Sequence, residues 1–440
     1  MKAISKKSLL SGHITVPGSK SHTIRALILA AMAEGTSHIS NPLPSNDCLS
    51  TAQAVRKIGA EVDFGDDSVW IVKGAGSALH LPEEEIDVGN SGSLMYFLSP
   101  VLSTLSGECT FTGDESICRR PVNHLIDALC QLGANGRCLN GGTTPPFSFC
   151  GPIDVNKKLV TEGALSQYIS GFMMAASRLK GSLKIELTNP KETPYLTMTK
   201  LWLESLGVPV SISPDFKNIS VTGPVPFKAF DRAVPSDWEG VAFPLIAALI
   251  SGSEITIDNV DGSGSQGDDR IVEVLQSAGA DIDWRREQEQ LFVRGGKRLS
   301  TEKLPDGQLT VEMSAFPDAI CALAVIACFI EGKTVFTDID ICRKKETDRI
   351  KAMTSELTKL GAHVVDEGYR MVVYGDGGRS LHGGEVESYK DHRIVMSLAC
   401  LGLGLASGER VIVKDAEWCS VTFPGFFEVM NKIGAGFETE

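Results

Sequence analysis

"VRKIGAEVDF", Val55 to Phe64, reads as the end of a helix, a glycine and the start of a strand. Gly59 stands just past the last apolar-periodic position, where a left-handed C-cap is wanted, and "EVDF" alternates with the period of a half-buried strand. The same pattern returns at "LCQLGANGRC", "WLESLGVPVS", "VLQSAGADID", "LTKLGAHVVD" and "VMNKIGAGFE". Their glycines, Gly59, Gly133, Gly207, Gly279, Gly361 and Gly434, follow one another at intervals of 72 to 82 residues. So regular a period, in a chain otherwise free of low complexity, marks an internal repeat.

A second series runs in step with the first: "SHTIRALILAAMAEG", "SGSLMYFLSPVLSTLSG", "SQYISGFMMAASRLKG", "WEGVAFPLIAALISG", "PDAICALAVIACFIEG" and "DHRIVMSLACLGLGLASG". These segments are apolar almost all round and predict buried helices, whereas the first series is amphipathic and predicts outer ones. Each repeat therefore reads strand, buried helix, strand, outer helix, strand, strand. Six repeats are too many for one core, so the economical division is an α/β chain of two domains with three repeats each. The pattern lapses in "FKAFDRAVPSDWEG", Phe227 to Gly240, which places the domains at residues 18–230 and at 1–17 with 231–440. The first strand, before Lys20, is expected to complete the last repeat, so that the chain begins and ends in one domain.

The 440 residues are 42% hydrophobic and 22% charged, an ordinary globular composition. A net charge of -13 argues against nucleic acid or an anionic membrane as partner and favours a small molecule. Eleven cysteines, an odd number without a CxxC pair or a Cys/His array, suit the cytoplasm better than a secreted disulfide framework. The N-terminus reads as an opening strand, without the apolar core of a signal peptide. The longest apolar run, Ala319 to Ile330, falls short of the ~20 residues that span a bilayer.

Polar residues collect at the starts of the buried helices: Ser21; Asn90 and Ser91; Ser166 and Gln167; Asp237; Asp318; Asp391. Helix capping accounts for each of them taken alone. It does not account for Lys20, Arg25, Arg120, Lys345, Arg349 and Arg393 in or beside the same segments, because charge near a core is costly unless paired. Buried helices pointing their N-termini one way, completed by these cations, would form a site for a ligand with several negative charges. Two facing domains of this kind would close on it and exclude water.

At "PGSKSHTIRALILAA", "GNSGSLM", "RRPVNHLIDALCQLGA", "SQYISGFMMAA", "PDAICALAV", "RKKETDRI", "DHRIVM" and "TFPGFF", in that order, the chain resembles the enolpyruvyl transferases over essentially its whole length. The resemblance implies an inside-out α/β prism of two domains, each with three βαβαββ repeats, and an active site in the interdomain cleft. It also implies transfer of the enolpyruvyl group of phosphoenolpyruvate to a hydroxyl with release of phosphate, by a monomer without metal or cofactor. The match is closer to the branch that acts on the 5-hydroxyl of shikimate 3-phosphate, on the route to chorismate and the aromatic amino acids. The branch acting on UDP-N-acetylglucosamine carries asparagine where Ser21 stands and uses a loop cysteine with no counterpart placed here.

Adding an alcohol across an enol double bond needs a base for the hydroxyl proton, an acid for the methylene carbon, and cations for carboxylate and phosphate. Carried over residue by residue, the resemblance implies that Lys20, Gly92, Arg120, Gln167, Arg349 and Arg393 bind phosphoenolpyruvate. Asp318, Glu346 and Lys345 are implied as proton-transfer groups, with Lys20 as a helper. Ser21, Arg25, Ser166, Gln167, Tyr195, Asp318 and Lys345 are implied to hold the acceptor. Gly92 then leaves room for glyphosate beside the acceptor, which implies sensitivity to it. By the residues alone, "RKKETDR" could be a solvated turn, Arg120-Pro121 could open a helix, and His392 is more often structural than catalytic.

The acceptor half departs from the family pattern more than the phosphoenolpyruvate half. Leu165 replaces the first serine of "SSQ", Glu192 stands at a serine position before Pro194-Tyr195, and Glu239 replaces a small residue after Asp237. Tyr96, Ile341 and Val421 are further differences. An unscreened Glu about 4 Å from a phosphate would cost on the order of 4 kcal/mol per unit charge, roughly a thousandfold in affinity. Glu192 therefore turns away, pairs with Lys191 or another cation, or marks an acceptor without that phosphate. Three readings stay open on these residues: the shikimate 3-phosphate enzyme, a transferase for another hydroxylated acceptor, and a binding protein that has lost turnover. Retention of Asp318, Glu346 and Lys345 together speaks against the last.

Overall fold

The computed structural model describes residues 1–440. The chain forms two compact units, a terminal unit of Met1–Pro17 and Ser236–Glu440, and an inserted unit of Gly18–Pro235. Asp231–Ala233, just after the expected boundary at residue 230, pairs in parallel with Thr36–Ser40 and so folds with the inserted unit.

Each unit contains three four-stranded sheets of one design. In the second repeat, Ile86–Asp87 and Gly107–Thr112 form a parallel edge pair, with helix Gly92–Leu102 making the crossover between them. Phe147–Gly151 adds antiparallel to Gly107–Thr112, and Asn135–Cys138 closes the sheet antiparallel to Phe147–Gly151. Parallel strands need a crossover and antiparallel ones need only a short return, so the element order of the repeat dictates this mixed sheet.

Three repeats are assembled from distant segments. Ser11–Thr15 is the parallel edge of Glu254–Asp258, so the whole inserted unit lies in sequence between that strand and its helix Trp238–Ser251. The first repeat of the inserted unit takes its parallel edge from Asp231–Ala233, the last strand of that unit. Lys2–Lys6 lies between Arg410–Lys414 and Glu438–Thr439, so both ends of the chain meet in the sixth sheet.

The apolar helices are buried along nearly their full length in both units. In the inserted unit these are Lys20–Met32, Gly92–Leu102 and Ser166–Ala176; in the terminal unit, Trp238–Ser251, Ile320–Ala327 and His392–Leu401. The outer helices bury one face, as Asn123–Gln131 does with Leu125, Ile126, Ala128 and Leu129. All six repeat glycines after the outer helices are left-handed, with φ between +83° and +106°, a conformation that costs residues with a Cβ about 1 kcal/mol or more. Gly171 meets a different demand: a Cβ there would collide with the Tyr96 carbonyl, so the helices Ser166–Ala176 and Gly92–Leu102 approach each other only because it is absent.

Candidate active site

Both units gather polar and charged residues near the starts of their buried helices, but Arg25 and Arg349 are neutralised differently. In the inserted unit, Ser91 caps helix Gly92–Leu102 by accepting from the Leu94 N–H at 3.2 Å. Helices Lys20–Met32 and Ser166–Ala176 start after Ser19 and Leu165, which give no side-chain cap. Lys20 opens the first of these, with its Nζ 3.5 Å from the Asp47 carboxylate.

Arg25 lies on the same helix, 1% exposed. Its Nε donates to Thr199 Oγ1 at 2.8 Å, its Nη1 to the Ser21 carbonyl at 2.9 Å, and its Nη2 to Ser170 Oγ at 3.3 Å and the Tyr195 carbonyl at 3.2 Å. The guanidinium also sits over the Phe97 ring, 4.5 Å from its centroid. Every partner is neutral. Burial without a counter-charge pulls the Arg25 guanidinium down to about 9, which still leaves it cationic at neutral pH.

Arg120 ends a short turn, Ile117–Arg119, and helix Asn123–Gln131 begins beyond it, so Arg120-Pro121 precedes the helix rather than opening it. Its Nη2 donates to Asn90 Oδ1 and to Ser116 Oγ, each at 3.2 Å, again neutral partners. Asn90 is oriented by its own Nδ2, which donates to Asp114 at 2.6 Å. A Cβ on Gly92 would lie 3.5 Å from Arg120 Nη1, so the glycine keeps one side of this guanidinium clear. Gln167, partly exposed, has no side-chain hydrogen bond to protein, whereas Ser166 is buried and engaged. Its N–H and hydroxyl donate to one oxygen of Glu192, at 3.1 and 3.0 Å. Of the alternatives raised for Glu192, the structure adds one not foreseen: the carboxylate turns onto the serine itself.

The terminal unit assembles Asp318, Lys345, Glu346, Arg349 and Arg393. Asp318 lies in the 3-10 turn Pro317–Ala319 that precedes helix Ile320–Ala327. Arg349, fully buried, pairs through Nη1 with Asp318 at 2.5 Å, through Nη2 with Glu346 at 2.6 Å and through Nε with Asp391 at 2.8 Å. Lys345 Nζ reaches the other Asp318 oxygen at 3.2 Å. Arg393 Nε stands 3.3 Å from Asp318, and its Nη2 pairs with Glu239.

Burial alone would raise the Asp318 carboxyl, but Lys345 and Arg349 outweigh it and hold the group below its ordinary range. Burial would likewise weaken Arg349, yet Asp391, Glu346 and Asp318 hold its guanidinium well above the ordinary arginine value. This half can thus keep a buried carboxylate ionised next to an ammonium, the pairing that a proton transfer to and from carbon needs.

Several members of these networks gave no sign in the sequence. Thr199, Ser170 and Asp47 position the cations through contacts between distant segments, and Ser116 holds Arg120 from four residues away. Asp391 had shown itself only as a cap, which it is, accepting from the Arg393 N–H at 2.9 Å; its second role is the buried pair with Arg349.

The family described as "EPSP synthase (3-phosphoshikimate 1-carboxyvinyltransferase)" matches residues 4–430. A protein of Ruminiclostridium cellulolyticum named 3-phosphoshikimate 1-carboxyvinyltransferase is 36% identical over 433 residues, covering 98% of each chain. One of the same name from Methanococcus aeolicus is 33% identical over 441 residues, covering 99% of each. Among solved structures, an EPSP synthase of Acinetobacter baumannii superposes with a TM-score of 0.84 at 28% identity, covering 100% of this chain and 99% of that one. With six four-stranded sheets enclosing apolar helices and a family match from end to end, the chain belongs to the EPSP synthase family and has its two-domain inside-out α/β fold.

Proposed function

We propose that the chain transfers the enolpyruvyl group of phosphoenolpyruvate to the 5-hydroxyl of shikimate 3-phosphate and releases inorganic phosphate, a step toward chorismate and the aromatic amino acids. The observation that carries this reading is the Asp318 carboxylate, buried and held ionised by Lys345 and Arg349. A carboxylate so held takes the acceptor's hydroxyl proton as the oxygen bonds to the central carbon of phosphoenolpyruvate. The methylene carbon receives a proton in the same addition, and Lys345 and Glu346 are the groups at hand to deliver it. Loss of a methyl proton and cleavage of the carbon–oxygen bond to phosphate then restore the double bond.

In this reading Lys20, Gly92, Arg120, Gln167, Arg349 and Arg393 receive phosphoenolpyruvate. Ser21, Arg25, Ser166, Gln167 and Tyr195, with Asp318 and Lys345, receive the acceptor. The neutral surroundings of Arg25 and Arg120 support it, because a guanidinium without a carboxylate partner gains most from an anionic ligand. In this reading the chain works as a cytoplasmic monomer.

Phosphate release from phosphoenolpyruvate, followed with purified protein, tests the assignment. Rapid release with shikimate 3-phosphate and only background release with shikimate or no acceptor is the expected result. Faster release with unphosphorylated shikimate would move the chain to a different acceptor.

A further inference from the structure

Glu192 carries an unusual set of features for a residue at an acceptor site. Its side chain is buried, 2% exposed, and its backbone is left-handed, with φ 51° and ψ 35°, which residues with a Cβ adopt only under constraint. One carboxylate oxygen takes both the N–H and the hydroxyl of Ser166, the first residue of helix Ser166–Ala176. The position before Ser166, where Ser or Asp would cap this helix, holds Leu165.

One turn further along, Ser170 Oγ accepts from Arg25, which has no carboxylate within ion-pair distance. The stretch from Ser166 to Ser170 therefore combines helix N-terminal donors with an uncompensated guanidinium, the surroundings an anion seeks. A residue of the protein already holds the donor end of it. Simple capping explains the contact but not the choice of residue, since a serine or asparagine at position 165 would cap the helix without a buried carboxylate or a left-handed backbone.

We propose that Glu192 is a specificity-determining residue, an internal competitor for the acceptor's phosphate: it occupies Ser166 in the free protein and yields that serine only when the phosphate arrives. This rests on the reading of Ser166 as an acceptor-binding residue. Glu192 then weakens the affinity for any acceptor anionic at this point and leaves phosphoenolpyruvate and an unphosphorylated acceptor unaffected. Like charges cannot share the serine, and removing one of them releases the penalty.

The full-length protein carrying Glu192→Gln keeps an acceptor oxygen for Ser166 but loses the charge. The KM for shikimate 3-phosphate is expected to fall about tenfold or more, with the KM for phosphoenolpyruvate and the Kd for shikimate unchanged. The double variant Leu165→Ser with Glu192→Ser restores a cap on the helix and is expected to show the same fall. An unchanged or higher KM for shikimate 3-phosphate in folded Glu192→Gln overturns the proposal, and so does failure of both variants to fold, which would make Glu192 purely structural. Ser166→Ala separates the two levels: no change in that KM means the acceptor role of Ser166 has failed, whereas a rise beside an unaltered Glu192→Gln means that only the competitor role has.

Discussion

Arg25 in the inserted unit and Arg349 in the terminal unit are both buried guanidiniums, and they are buried in opposite ways. Arg25 rests on hydroxyls, two carbonyls and an aromatic ring, and burial pulls its pKa down. Arg349 is clasped by Asp318, Glu346 and Asp391, and their charges push its pKa up. The first arrangement leaves a positive field for something that arrives from solution. The second neutralises the arginine internally and uses it to keep carboxylates ionised. In the proposed reading, one fold repeated six times makes an anion-seeking site around Arg25 and Arg120 in one half and a proton-handling site around Asp318 in the other.

The sharpest test of that division is Asp318→Asn, because it removes the ionised group and leaves its shape. kcat is expected to fall by about a thousandfold, in the range general acid–base groups contribute, and the KM for shikimate 3-phosphate to rise as well because Asp318 also receives the acceptor. A kcat within tenfold of the parent would remove Asp318 from the proton-handling half.

Stability should separate the two arginines next. Arg349→Met leaves Asp391, fully buried, without its ion-pair partner and is expected to cost about 3–5 kcal/mol in the terminal unit. Arg25→Met leaves little unpaired: the Tyr195 carbonyl still accepts from Thr199 at 2.9 Å, and the Ser21 carbonyl remains in its helix. Its cost is expected to stay below about 1.5 kcal/mol while the KM for shikimate 3-phosphate rises steeply. Hydrogen exchange read separately in each unit measures both, and equal costs would erase the distinction.

A smaller effect is expected where the terminal unit places a carboxylate on an anion-binding candidate. Glu239 pairs with Arg393, and Glu239→Ala should remove one of that guanidinium's carboxylate neighbours, Asp318 remaining, and lower the KM for phosphoenolpyruvate by about three- to tenfold. A higher KM would show that Glu239 positions Arg393 instead of competing at it.

The repeat was legible because it is written in local physics. Each outer helix ends at a left-handed residue that only glycine adopts cheaply, and each buried helix must be apolar on every side. Local physics says nothing about which distant strand completes a sheet. Ser11–Thr15 stands next to helix Lys20–Met32 in sequence and yet belongs to the sheet of Glu254–Asp258. The cations at the candidate site were legible as charges out of place; their partners were not. Asp391 lies 42 residues from Arg349 and already had a sufficient explanation as a cap. Thr199 and Ser170 are ordinary helix residues until Arg25 is laid against them.

The smallest predicted difference concerns acid. In the inserted unit, His124 packs between Tyr96 and Tyr168, with ring centroids 5.3 and 4.9 Å away, and burial lowers it to about 4 against the weaker pull of Asp127 and Glu162. The unfolded chain takes up this proton near pH 6.5 and the folded one refuses it, so the stabilisation is complete above that pH and is lost as pH falls toward 4, by at most about 1.4 kcal/mol per pH unit. In the terminal unit, burial and the nearby Asp261 and Glu273 raise Asp269 to about 6, against Arg286 and Arg270. The folded state there binds a proton that the unfolded state has released, so this contribution is present below the ordinary aspartate range and is lost as pH rises through about 6, more weakly because the group is partly exposed. Between pH 4 and 6 the two contributions run in opposite directions. Exchange rates corrected for intrinsic chemistry, read at helices Asn123–Gln131 and Ile271–Ser277, should show opposing slopes that His124→Phe and Asp269→Asn each flatten in their own unit. Parallel slopes surviving both substitutions would mean that neither group governs the acid response, and the two halves would then differ in charge partners alone.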